Sequence, residues 1–204
     1  MTVVVHRNGA SLALARPAVP LVWALTAPAA RRYVGGWASR HELHLLAPSV
    51  LERRASSVPG SREMLALTPV ALYARQLIGA SNRDLAARSG PRRLAAHLRW
   101  AWLLEGAARW FSGQTDYARP AIARRLREGR PPHFPPGMPD ALLLGGTVID
   151  LLVAEEGQAA AAELARELNP GGAATALRRA FRGRSLAHTE SAWRAHLSGL
   201  AAGR

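Results

Sequence analysis

Cysteine is absent from the chain, and so is lysine. Without thiols there is no disulfide framework, no thiolate zinc or iron–sulfur site and no cysteine nucleophile. Without lysine, all 27 basic residues are arginine, and against 14 acidic residues they give a formal net charge of +13. Arginine forks match phosphate oxygens, so a nucleic-acid partner is one reading of this excess. The arginines are spread along the chain, many with a glutamate at helical spacing, and Ala, Gly, Pro and Leu abound; this favours the other reading, a solvated arginine-rich surface reflecting a GC-rich codon bias. Also missing is an apolar run of about twenty residues, so no transmembrane segment is expected. A cytoplasmic protein is the expectation, with 49% hydrophobic residues to build a core over 204 positions.

Strand signals come first and helical ones follow. Thr2 to His6 is β-branched, Asn8-Gly9 suits a tight turn and Ser11 to Ala15 alternates, which predicts an N-terminal hairpin. Pro20 to Tyr33 has helical spacing interrupted by Pro28; its Ala-Pro-Ala-Ala segment invites comparison with an export signal, but a helix packed on the sheet is the reading preferred. Glu42 to Leu46 reads as a strand after the turn-like Gly35-Gly36. Helical periodicity then marks Ser61–Ile78, Pro91–Phe111, Pro120–Glu128, Asp140–Glu156, Ala159–Leu168, Ala173–Phe181 and Thr189–Leu200. The breaks between them fall at Gly79, Ser89-Gly90, Gly113, Gly129 through Pro139, Gly157, Asn169 to Gly172 and Gly183. The expected class is α+β, one domain over 1–204 with a sheet-and-helix part to residue 50 and a helical body from 51.

Histidine is the remaining route to a metal site. His41 and His44 are three apart on extended backbone, hence on opposite faces, so His41-Glu42-Leu43-His44 is a decoy. His97, His133, His188 and His196 stand alone in the sequence. Neither a Gly-x-Ser-x-Gly elbow nor a glycine-rich phosphate loop occurs. One segment does carry chemistry: Trp100 to Gly113 places a single acid, Glu105, in an otherwise aromatic and aliphatic helix. A lone carboxylate there is costly unless a cation meets it.

The run Trp102-Leu-Leu-Glu105-Gly106-Ala-Ala-Arg-Trp-Phe111 resembles the Trp-Leu-x-Glu-Gly-x-Ala-x-x-Phe helix of the peptidase MA-like zinc peptidases, the gluzincin group, in which that glutamate is the third zinc ligand. Ser61 to Gly79 is similar to the family's first active-site helix, Asp140 to Gly157 to a later helix packed behind the site, and Trp193 to Leu197 to its closing Trp-x-x-His/Tyr-Leu turn. The resemblance implies a zincin-like body and a zinc cofactor. It also places Ala71 at the first histidine ligand, Leu72 at the catalytic glutamate and Arg75 at the second histidine, so three of the four expected groups are lost. Neither Ala71 nor Leu72 has a lone pair or a proton-accepting group, and an arginine stays cationic.

Ala71 and Arg75 share a helix face, which in the family looks across at the glutamate. The expectation is that the Arg75 guanidinium takes the cation position and pairs with Glu105, two-pronged if the fork fits; the alternative pairs Glu105 with Arg109 one turn along. No catalytic, metal or cofactor-binding residue is then expected, only a vestigial site of Ala71, Leu72, Arg75 and Glu105. The corresponding function is a pseudo-metallopeptidase, a binding or structural module with a protein or peptide partner. Two alternatives stay open: an active zinc peptidase with a non-standard site, and an arginine-rich nucleic-acid binder. For the first, His97 lies eight residues before Glu105, about 12 Å along one continuous helix, too far to share an ion.

Overall fold

The computed structural model describes residues 1–88, 90–128 and 130–202; two of the expected breaks, Ser89 and Gly129, lie outside them. The protein is α+β, a small three-stranded sheet near the N-terminus followed by helices. In chain order these are β1 (Thr2–His6), α1 (Gly9–Ala15), α2 (Ala18–Leu25), α3 (Pro28–Arg31), β2 (Gly36–Ala38), β3 (Glu42–Leu46) and α4 (Pro48–Arg53). The helical part continues with α5 (Ser61–Ala66), α6 (Thr68–Ser81), α7 (Arg83–Ala86), α8 (Gly90–Arg99), α9 (Ala101–Phe111), α10 (Gln114–Tyr117) and α11 (Arg119–Glu128). It closes with α12 (Met138–Glu156), α13 (Gln158–Arg166), α14 (Gly172–Ala180) and α15 (Leu186–Ala201). No helix among the described residues is long and apolar enough to cross a membrane.

The predicted N-terminal hairpin does not form. Asn8 is extended rather than left-handed, and its side chain accepts from the Ser11 amide at 2.8 Å, so it caps a helix instead of turning a hairpin. Leu12 on that helix is fully buried. β1 therefore pairs with β3, in parallel, from Thr2 opposite Glu42 to His6 opposite Leu46. The other edge of β3 carries β2 in antiparallel register, with Trp37 opposite His44. β2 is only three residues long and starts at a glycine, too short for alternation to reveal it in the sequence. The Pro20–Tyr33 stretch divides into α2 and α3 at Thr26-Ala27, with Pro28 at the start of the second helix, where a missing N–H costs nothing. Val19 and Val22 of α2 join the main core.

Two predicted helices are broken where the sequence shows no glycine. Ser61–Ile78 is interrupted at Leu67, just before Pro69. Pro91–Phe111 is interrupted at Trp100, whose backbone leaves the helical region at φ −107° and ψ 21°. On one straight helix Trp100 and Trp102 would project about 200° apart. With the break both rings are buried, and their centroids lie 6.2 Å apart. Gly79, an expected break, instead lies inside α6, which runs on to Ser81.

The centre of the body is α9, packed between α6 and α12. Gly106 and Gly145 let α9 and α12 touch backbone to backbone: a Cβ on Gly145 would stand 2.6 Å from the Trp102 carbonyl oxygen, and one on Gly106 would collide with the Gly145 main chain. Shorn of side chains there, α12 is buried from Asp140 to Ile149. Trp193 of α15, fully buried, donates to Thr147 Oγ1 at 2.8 Å and closes the far side of α12. The proline-rich connection before α12 packs Phe134 on Trp193, at 5.2 Å between centroids, and receives a hydrogen bond from Arg194 at the Pro132 carbonyl. It serves as a connection against α15, and none of its residues lines the pocket at Arg75.

Candidate functional site

Each of the four residues singled out from the sequence lies where α6 faces β2, β3 and α9. Ala71, Leu72, Arg75 and Glu105 line one small pocket of about 30 Å³ together with Tyr33, Gly36, Trp37 and Thr68. That volume is room for a water molecule or so and no more. Leu72 turns to the sheet and forms a separate apolar cluster with Leu43 and Leu45 of β3. Ala71 is buried and offers no donor atom.

Arg75 does meet Glu105. Its Nε lies 3.3 Å from Oε1, and both side chains are almost completely shielded, at 12% and 10% exposure. The two-pronged fork is not formed, because the guanidinium has other neighbours: Nη2 is 3.3 Å from the His97 ring nitrogens, and the group lies over the Trp37 ring, 4.3 Å from its centroid. Arg109 is not the partner of Glu105. It donates to Gln114 Oε1 at 2.7 Å and to the Tyr33 carbonyl at 3.1 Å, tying α9 to the chain before β2.

His97 requires a correction. One continuous helix would hold it about 12 Å from Glu105, yet its Nε2 lies 3.2 Å from Glu105 Oε1. The break at Trp100 folds the end of α8 back over α9, which no glycine or proline announces. Trp37 was likewise missed; it touches His97 edge-on, with centroids 5.5 Å apart, and its position depends on the unrecognised strand β2. The result is a buried Glu–Arg–His group whose guanidinium stacks on a tryptophan.

Its electrostatics are those of a closed ion pair. Burial opposes ionisation of Glu105, but the Arg75 guanidinium and the His97 hydrogen bond outweigh it and bring its pKa from 4.5 down to about 2. His97 is pushed below its ordinary value by burial and then by Arg75, with Glu105 pulling the other way. The carboxylate can only accept, so the His97 Nε2 facing it is the donor of that hydrogen bond. A zinc ion does not fit this donor set: Ala71 and Leu72 are hydrocarbon side chains, and a guanidinium already neutralises the carboxylate. Among the described residues no three His, Asp or Glu side chains are grouped to hold a metal.

The other histidines lie apart from this group. His41 is exposed and His44 buried, so the pair does not converge. His44 instead stacks on His6, with Nδ1 and Nε2 2.9 Å apart, beside Arg16 and Glu42. His196 pairs with Asp150 at 2.9 Å; this bond, assisted by one from Trp110 and opposed by burial, lowers the Asp150 pKa. Among the aromatic residues of the Trp100–Gly113 segment, Trp100 and Trp102 are core, while Phe111 remains 41% exposed. Comparison of the chain with protein-family models, with curated proteins and with solved structures finds no match in any of the three.

Proposed function

We propose that this protein is a catalytically silent relative of the gluzincin zinc peptidases, acting in the cytoplasm as a binding or structural module. The observation that carries the reading is the Arg75–Glu105 pair, with a fixed organic cation held against the acid that the resemblance makes a metal ligand. Supporting it, the α6 face that carries Ala71 and Arg75 looks onto α9, and α12 packs behind α9. Leu72, at the place of the water-activating glutamate, is committed to the sheet. Retaining Glu105 is then understandable, because removing either partner of a buried pair leaves the other uncompensated.

The nucleic-acid alternative gains no comparable support. Arg125, Arg184 and Arg194 are spent on Asp140, Glu155 and Glu190 within the chain. The test of the proposal is metal content and peptide hydrolysis of protein purified without chelators. The expected outcome is folded protein with substoichiometric zinc and no cleavage. Stoichiometric zinc that disappears in Glu105→Ala would overturn it.

A further inference from the structure

On the solvent side of the Arg75 group is a second, larger cavity. It measures about 430 Å³ and lies between β2, α6 and α8, with Trp37, Arg75 and His97 forming the wall it shares with the buried pair. This size falls in the range of small-molecule pockets. Leu85, Leu94 and Leu104 give it apolar lining, and Arg40 and Arg93 bring two further guanidinium groups to it.

The charges of this cavity do not cancel. Arg75 is matched by Glu105, and burial disfavours the charged form of His97. Arg40 and Arg93 have no carboxylate partner among the described residues. Arg93 is half-buried over α6, its Nη2 beside Gly79, where a Cβ would come within 3.5 Å. Burial and the neighbouring Arg75 and Arg40 all lower its pKa, and no acid raises it. Arg93, half-buried, and Arg40, exposed, thus leave two guanidinium groups at this cavity able to meet an anion supplied from outside. Nucleic acid is a poor occupant, since the arginines line a concave cavity together with Leu85, Leu94 and Leu104 rather than a flat basic face.

We infer that this cavity binds a small amphiphilic carboxylate, its head held between Arg40 and Arg93 and its hydrocarbon body against Leu85, Leu94 and Leu104. A guanidinium fork suits a carboxylate, and the apolar wall supplies the area that a bare inorganic ion would leave wet. The inference stands on the cavity alone and holds whether or not the fold descends from peptidases.

The test is calorimetric titration of the full chain with octanoate and with octanol. Octanoate is expected to bind one to one, and octanol roughly tenfold or more weaker. Arg93→Gln is expected to weaken octanoate roughly ten- to hundredfold, to leave octanol unchanged and to keep the unfolding midpoint. Arg7→Gln, at an exposed site outside the cavity, controls for the general positive charge and is expected to change nothing. No octanoate binding, equal affinity for the alcohol, or equal losses in Arg93→Gln and Arg7→Gln would overturn the proposal. Repeating the titration with Arg40→Gln checks the second fork, and wild-type affinity there would overturn the placement of the head.

Discussion

Two groups of side chains in this protein have the same composition and opposite settings. At the sheet, Glu42 meets Arg16 and His44, and His44 stacks on His6; at the helix pair, Glu105 meets Arg75 and His97. Glu42 is 43% exposed and Arg16 26%, whereas Glu105 and Arg75 are at 10% and 12%. Glu42 is held low chiefly by its His44 hydrogen bond, in water that screens the rest. Glu105 works against burial and depends on a cation to stay ionised. A glutamate beside an arginine and a histidine therefore says little by itself. What decides its energetic weight is whether water can replace a lost partner.

Breaking the buried group gives the largest effect. Arg75→Met is expected to cost roughly 3 to 5 kcal/mol in urea unfolding, through the uncompensated Glu105. A loss below about 1 kcal/mol would place this pair with the surface ones. The pH dependence comes next. The folded pKa of Glu105, about 2, lies below the ordinary 4.5 of the unfolded chain, so its contribution is complete above pH 4.5 and is lost as the pH falls toward 2. That contribution is on the order of 3 kcal/mol. Glu105→Gln should flatten this part of the stability curve, and Glu42→Gln should leave the Glu105 contribution in place. Trp37→Leu, which removes the ring beneath Arg75, should cost roughly 1 to 2 kcal/mol in the same urea assay. Smallest is Arg16→Met, expected to change the unfolding midpoint by a small fraction of the Arg75→Met shift.

The α+β class, the strand at Glu42–Leu46 and most helices of the body were readable from periodicity, because their apolar spacing and glycine or proline breaks agree. The isolated acid Glu105 was readable too, but its pairing with Arg75 came from the family resemblance, which sets the Ala71–Arg75 face across from it; spacing alone left Arg109 open as the partner. What escaped had no local signal. Asn8-Gly9 suits a hairpin and a helix cap alike, and the burial of Leu12 decides between them. The break at Trp100 follows from the burial of two indoles, a tertiary effect that overrides helix propensity. Missing it meant missing His97 as a neighbour of Glu105, and missing β2 meant missing Trp37.

The claim that Arg75 is the counter-ion of Glu105 is tested most directly by a double-mutant cycle with Arg75→Met and Glu105→Met, read by urea unfolding. If the two charges compensate each other in a dry interior, the double variant is more stable than Arg75→Met alone, with a coupling of roughly 2 to 3 kcal/mol. Strict additivity of the two losses would contradict the account.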